Sequence, residues 1–297
     1  VHADGVEVSV DLARRLIRGA FPRWAGLPLA PVASGGTDNT LIRLGEDKVA
    51  RFPRRPSAAA QVEKEGRWLG RLAPGLSLPV PVPIALGRPA AGYPFPWAIC
   101  PWLEGRDAHA APLTDDRDAG AELARFLLSL RALPAEGGPP PGPHNFHRGA
   151  ALAERDAAMR RAISALAEDV DSAALARAWE AALDAAPWDG PPTWIHGDLH
   201  PANLLVRGGR LAGVLDFGGL GVGDPACDAM AAWTVLGPAG RADFLDGIGA
   251  ARDMRAGARG WAVSFAAIAW PYYRDTNPVL VSVARRTIAE ALSDEAG

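Results

Sequence analysis

One run in this 297-residue chain carries residue types at spacings that suit catalysis: His196-Gly197-Asp198-Leu199-His200-Pro201-Ala202-Asn203, with Val214-Leu215-Asp216-Phe217 following. Asn203 lies five residues beyond Asp198, and Asp216 thirteen beyond Asn203. Between them, Leu204 to Val206 and Leu211 to Phe217 read as short strands around the turn Arg207-Gly208-Gly209-Arg210. Antiparallel strands place their outer ends together, so Asp216 is expected back beside Asn203. One loop and one strand end then bring an aspartate, an asparagine and a second aspartate into a small volume. Asn203 and Asp216 offer oxygen ligands suited to Mg²⁺, and Asp198 is a spare carboxylate. Phosphoryl transfer needs this set: metal ions to neutralise triphosphate charge, and a carboxylate to orient the attacking hydroxyl.

Two other readings of the same run stand beside this one. His196, Asp198 and His200 form an H-x-D-x-H array, which on a strand would point three metal ligands the same way, as in a metal hydrolase. Gly197 and Pro201 favour a loop instead, and that reading leaves Asn203 and Asp216 without a role. The other reading is a nucleotide-binding pseudoenzyme, resting on the departures from kinase pattern described below.

The elements that would position these residues fall into two parts. Val10 to Ala20 has the period of an amphipathic helix with Leu12, Leu16 and Ile17 on one face. Leu29 to Phe52 reads as short strands, with Gly45, Glu46 and Asp47 as a turn, and Ser57 to Leu72 as a helix burying Val62, Trp68, Leu69 and Leu72. Pro79, Pro81 and Pro83 imply an extended connector or sheet edge, and Trp97 to Leu103 a short buried strand. Beyond it the chain reads as mainly helical: Asp118 to Leu133, then two helices within Ala150 to Ala185, then helix after Asp224-Pro225, with Pro134 to Pro143 as an irregular loop. The expected fold class is therefore α+β, a β-rich part and a helical part dividing near Cys100 to Glu104.

The spacing of the central run is that of the protein-kinase catalytic loop and metal-binding aspartate, H-x-D-x-x-x-x-N then D-F-G. With Leu215-Asp216-Phe217-Gly218 and Gly223-Asp224-Pro225 following in order, the chain most resembles the aminoglycoside phosphotransferase family. That resemblance implies a two-lobed protein-kinase-like fold, with residues 1–99 as a nucleotide-binding lobe and 100–297 as a helical catalytic and acceptor-binding lobe. It implies Asp198 as catalytic base, Asn203 and Asp216 as Mg²⁺ ligands, His196 as architectural, and His200 near the γ-phosphate. It implies ATP or GTP as donor, and a small-molecule hydroxyl as acceptor. Ser34-Gly35-Gly36-Thr37-Asp38-Asn39, between two strands, resembles the family's phosphate loop, although the full kinase G-x-G-x-x-G is absent. In Val49-Ala50-Arg51-Phe52-Pro53, Arg51 stands where protein kinases carry lysine. Its expected partner is Glu65, with Glu63 the alternative; two residues apart on a helix, both cannot face Arg51. Ile99 and Cys100 fall in the presumed adenine-binding hinge. Asp224, before Pro225, reads as a helix cap.

The acceptor is less legible. Asp243, Asp246, Asp253 and Asp275 are spread out, whereas Trp261, Phe265, Trp270, Tyr272 and Tyr273 are dense. Acceptors compatible with the resemblance include aminoglycoside or macrolide antibiotics and metabolic alcohols such as choline, homoserine, a sugar or a fructosamine. Composition narrows the remaining classes. Net charge is −3, which argues against nonspecific nucleic-acid binding. No apolar run reaches membrane-spanning length and the N-terminus lacks the pattern of a signal peptide, so the expectation is a cytoplasmic monomer or homodimer. Cys100 and Cys227 are expected as buried free thiols.

Overall fold

The computed structural model describes residues 5–32 and 38–294. Val10–Ala20 forms α1, burying Ala13, Leu16 and Ile17, and Ser9 caps it by accepting the Leu12 N–H at 3.2 Å. Three strands follow, β1 (Leu29–Pro31), β2 (Asn39–Leu44) and β3 (Lys48–Pro53), each antiparallel to the last. The expected turn at Gly45–Asp47 joins β2 to β3, and Gly45 takes the positive φ of 63° it requires. Helix α2 (Pro56–Leu72) leaves β3 and buries Val62, Glu65, Trp68, Leu69 and Leu72. β4 (Ala85–Gly87) and β5 (Trp97–Pro101) complete a five-stranded antiparallel sheet in the order β1-β2-β3-β5-β4. β4 is an edge strand, consistent with the prolines just before it.

The two-residue period divides this sheet into two faces. Ile42, Leu44, Ala50, Phe52, Trp97 and Ile99 pack with Leu16 and Ile17 of α1. Val49, Ala98 and Cys100 form a smaller cluster with Val62 of α2 on the other face. Arg51, two residues from Val49, shares that second face.

The remainder is mainly helical. After β6 (Arg106–Asp107) come α3 (Asp116–Arg131), α4 (Asp156–Ala165) and α5 (Ser172–Leu183). The Pro-rich stretch before α4 holds only a 3₁₀ turn at Pro143–Asn145, as its prolines demand. Then β7 (Thr193–Ile195) and the hairpin β8 (Leu204–Arg207) and β9 (Arg210–Val214) lead to β10 (Gly221–Gly223), which pairs with β7. Short α6 (Ala226–Ala229) and α7 (Ala231–Thr234) precede α8 (Pro238–Gly247), α9 (Arg252–Tyr273) and α10 (Pro278–Ser293). The core of this part is aromatic: Phe126, Trp179, Trp194, Phe217, Trp233, Phe244 and Trp261 are all buried.

β9 ends at Val214 rather than at the expected Phe217. Asp216 adopts a left-handed conformation (φ 57°), which breaks the strand and starts a 3₁₀ turn. No helix among the described residues is long and apolar enough to cross a membrane. Cys100 and Cys227 are buried and free.

Candidate active site

Strand β7 delivers the chain into the His196–Asn203 loop, and α6 fixes that loop from behind. The Asp228 carboxylate accepts the His196 N–H at 2.6 Å and the Gly197 N–H at 2.7 Å. Gly197 sits at φ 82°, and a Cβ there would lie 2.4 Å from the Gly219 carbonyl oxygen, so only glycine fits. The His196 ring is fully buried: Nδ1 accepts the Asp198 N–H at 3.2 Å, and Nε2 lies 2.9 Å from the Leu215 carbonyl. This pairing assigns a neutral ring with its proton on Nε2. His196 is therefore architectural, both ring nitrogens being committed to backbone. The H-x-D-x-H array makes no metal triad, and among the described residues no group of three or more His, Cys, Asp or Glu is arranged to hold a metal.

Asp198 and Asn203 meet as the spacing predicts. Asn203 Nδ2 donates to the Asp198 carbonyl at 2.9 Å and to Asp198 Oδ2 at 3.1 Å. The Asn203 carbonyl accepts the Leu215 N–H at 2.8 Å, which brings Asp216 alongside. The amide nitrogen being spent on Asp198, the Asn203 side-chain oxygen is left for a ligand. One Asp216 oxygen accepts the Gly218 N–H at 3.1 Å and the other is available. Both side chains are hard oxygen donors of the kind that suit Mg²⁺, which takes one or two protein oxygens and completes its shell with phosphates and water.

His200 Nε2 lies 3.4 Å from Asp198 Oδ2 and 3.2 Å from Asn203 Nδ2, its ring stacked on Phe265. Arg148 Nη2 approaches the other Asp198 oxygen, also at 3.4 Å. Burial pushes the Asp198 carboxyl up, but His200 and Arg148 outweigh it and hold the group well below the usual carboxylate range. Asp198 is thus firmly ionised, and its side chain remains 31% exposed.

The sheet supplies the other half. Arg51 Nη1 donates to Glu65 Oε2 at 2.7 Å and Nη2 to Oε1 at 3.4 Å, both residues buried. Glu65 Oε1 also accepts the Phe217 N–H at 3.2 Å, tying α2 to the residue after Asp216. Glu63 is exposed, so Glu65 is the partner. Burial opposes the Arg51 charge, but Glu65, Cys100 and Asp216 more than offset it and raise the guanidinium above its ordinary range. Ile99 and Cys100 lie inside β5, paired with Ala50 and Val49; the Ile99 carbonyl also accepts the Ile84 N–H at 2.8 Å. The Ile99 side chain faces α1, while Cys100 shares the face of Arg51. Asn39 opens β2 opposite Pro53, and its side-chain oxygen is buried without a hydrogen-bond partner. Ser34, Gly35, Gly36 and Thr37 lie outside the described residues. Asp224 accepts the Ala226 N–H at 2.8 Å, the expected cap.

Sequence reasoning missed Arg148, Arg155, Lys64 and the task of Asp228. Lys64 reaches from α2 to the carbonyls of Gly218 (2.6 Å) and His144 (3.4 Å). Arg148 follows the Pro-rich loop and belongs to no motif; its proximity to Asp198 is purely tertiary. For Asp228 the only available signal was a carboxylate in the otherwise apolar stretch after Gly223-Asp224-Pro225.

Residues 29–262 match the phosphotransferase enzyme family. The uncharacterized protein YcbJ of Bacillus subtilis (strain 168) is 28% identical over 216 residues, spanning 67% of this chain and 66%, just under two thirds, of that protein. The fold is similar to that of the GDP and kanamycin complex of APH(2")-IIia, with a TM-score of 0.72 at 20% identity over 95% of this chain and 98% of that one. It is also similar to macrolide 2'-phosphotransferase MphH from Brachybacterium faecium, with a TM-score of 0.59 at 25% identity over 94% and 97%. A third similar structure is aminoglycoside phosphotransferase APH(2'')-Ib, ADP-bound, with a TM-score of 0.59 at 18% identity over 96% and 98%. The fold is the α+β one that the order of elements implied and the kinase-like one that the resemblance implied.

Proposed function

Since the chain belongs to the phosphotransferase enzyme family, we propose that it moves the γ-phosphate of ATP or GTP to a hydroxyl of a small molecule. The observation that carries this reading is the joining of Asp198, Asn203 and the Asp216 segment by hydrogen bonds of 2.8 to 3.1 Å. Asp198 is the catalytic base. Ionised and partly exposed, it orients the acceptor hydroxyl and takes its proton as oxygen bonds to the γ-phosphorus. The bond from that phosphorus to the bridging oxygen breaks, and the nucleoside diphosphate leaves with the electron pair. Asn203 and Asp216 hold Mg²⁺, which when bound supplies charge neutralisation on the phosphates. His200 stands beside Asp198 and Asn203, where a γ-phosphate would come. Arg51, steadied by Glu65, grips donor phosphates, with Asn39 near them; Ser34, Gly35, Gly36 and Thr37 take the phosphate-loop role that the resemblance implies. Ile99 and Cys100 border the base, with residues 1–99 as the donor lobe and 100–297 as the acceptor lobe. The complete set of Asp198, Asn203 and Asp216 favours an active enzyme over a pseudoenzyme, because the chemistry needs all three. A nucleoside triphosphate donor supports the cytoplasm as the site of the reaction.

The acceptors named for the similar structures are aminoglycosides and macrolides, and metabolic alcohols share the same chemistry. In this chain Asp243 is paired with Arg117 and Asp246 with Arg255, so these carboxylates form no cluster for a polycation. Asp198→Asn tests the reading. Acceptor-dependent release of nucleoside diphosphate should fall about 10²- to 10⁴-fold, while Mg-nucleotide affinity by calorimetry stays near wild type. Undiminished turnover in that variant removes Asp198 from the chemistry.

A further inference from the structure

Beside Asp198, positive charge gathers without matching carboxylates. Arg148 Nη2 reaches Asp198, but its Nη1 is buried with no partner. Its guanidinium lies 5.6 Å from the Phe265 ring centre and 6.0 Å from that of Trp261. Arg155 approaches the same Trp261 ring to 5.0 Å, and its Nε donates at 2.9 Å to Ser264, a neutral hydroxyl. Burial drags the Arg155 guanidinium down to about 9, and Arg148 adds to the push; only the Cys227 thiol opposes it. Two cations thus share the Trp261 ring, and the one carboxylate here, Asp198, is paired with Arg148.

The same region carries two further unpartnered nitrogens. Trp261 Nε1 and His200 Nδ1 are buried without hydrogen-bond partners, in residues that are 0% and 5% exposed. A buried donor left unpaired costs about 1–3 kcal/mol, which a ligand accepting its hydrogen bond recovers. The loop presenting Arg148 is held in place at further cost. Phe146 and His147 are both left-handed (φ 56°), a conformation bulky residues avoid. Buried Asn145 secures it, donating to the carbonyls of Arg148 (3.1 Å) and Gly219 (3.4 Å). A strained, bolted loop that aims a guanidinium at the base is a built feature, not a solvated surface arginine.

We propose that the acceptor bears an oxyanion, a carboxylate or a phosphate, close to the hydroxyl that is phosphorylated, and that Arg148 and Arg155 bind it. This rests on the phosphotransferase reading above. It follows from position: Arg148 touches Asp198 with one nitrogen and offers the other, so the anionic group lies one guanidinium width from the reacting oxygen. Hydroxy acids and phosphorylated alcohols have that shape, whereas a polycationic drug would meet two like charges.

The experiment fills the donor half first, with the non-hydrolysable triphosphate Mg-AMP-PNP, and then titrates gluconate, glycerol 3-phosphate and inorganic phosphate against glucose, glycerol and kanamycin by calorimetry. Anions should bind to the filled enzyme and their neutral counterparts at least tenfold more weakly. Whether gluconate or glycerol 3-phosphate binds tighter separates carboxylate from phosphate. Arg155→Gln should weaken anion binding at least tenfold, and Arg155→Lys should recover part of it, with AMP-PNP affinity unchanged in both. The idea is overturned if no anion binds the filled enzyme, if kanamycin or the neutral probes bind better, or if the anions bind only to enzyme without AMP-PNP, which would assign the charge to the donor γ-phosphate. Failure of both AMP-PNP and its guanine counterpart GMP-PNP to bind wild type would instead undo the phosphotransferase reading. The wild-type titrations decide the matter even if a variant does not fold.

Discussion

At the scale of single residues, the site depends on side chains that hold backbone. Asp228 is the clearest: each of its oxygens takes one N–H of the catalytic loop, at 2.6 and 2.7 Å. An asparagine can accept on one side only, and its amide would set a donor against a donor. Asp228→Asn is therefore expected to lower stability by about 1–3 kcal/mol and to lower kcat more than it raises the nucleotide KM, because it displaces Asp198 rather than the metal ligands. Urea unfolding and steady-state kinetics read the two effects separately; an unchanged kcat would show that the loop holds itself. His196 works the same way through its ring, bridging the Asp198 N–H and the Leu215 carbonyl. Its motif position was visible in the sequence, but the partners that make it structural were not.

At the scale of elements, three come together through one buried carboxylate. Glu65 on α2 binds Arg51 on β3 and the Phe217 N–H beyond β9. Removing one partner leaves a buried charge, whereas removing both leaves an apolar gap that is less costly. Glu65→Ala should cost about 3–5 kcal/mol, and the Arg51→Met, Glu65→Leu double variant distinctly less. Both should lose nucleotide affinity. Additive losses in a double-mutant cycle followed by urea unfolding would contradict a coupled pair. Local pattern was enough to find α1, α2 and β2–β3, since buried positions such as Leu16, Ile17, Val62 and Trp68 follow the periods of the elements that carry them. It was not enough for β10, whose Gly-Val-Gly has no strand period and is a strand only because β7 lies beside it.

At the scale of the whole molecule, Lys64 joins the two parts, reaching from α2 to the carbonyls of Gly218 and His144. Burial pulls its amine from an ordinary 10.5 down to about 8, against the opposing pull of Glu65 and Asp216. Between those values the unfolded chain binds a proton that the folded chain lacks, so unfolding free energy rises with pH across that window. Lys64→Met should flatten that rise relative to wild type. Lys48 and Lys64 are the only lysines in the sequence, so methyl-labelled lysine amines give two NMR signals, told apart from the α-amine and from each other by the loss of one in Lys64→Met. In the nucleotide-free protein one of them should titrate near 8; two ordinary lysine titrations would mean the contact is open in solution.

What could be read before folding was the chemistry that consecutive residues encode: the Asp198, Asn203 and Asp216 spacing, the hairpin that brings its ends together, and the division into a sheet part and a helical part. These depend on distances along the chain of a few residues, which backbone geometry fixes. Tertiary packing alone brought Arg148 to Asp198, gathered Arg155 and Trp261 around Arg148, and made Asp228 the anchor of the loop. Those contacts join segments 31 to more than 100 residues apart, and no local periodicity records which distant side chains a folded core will bring face to face.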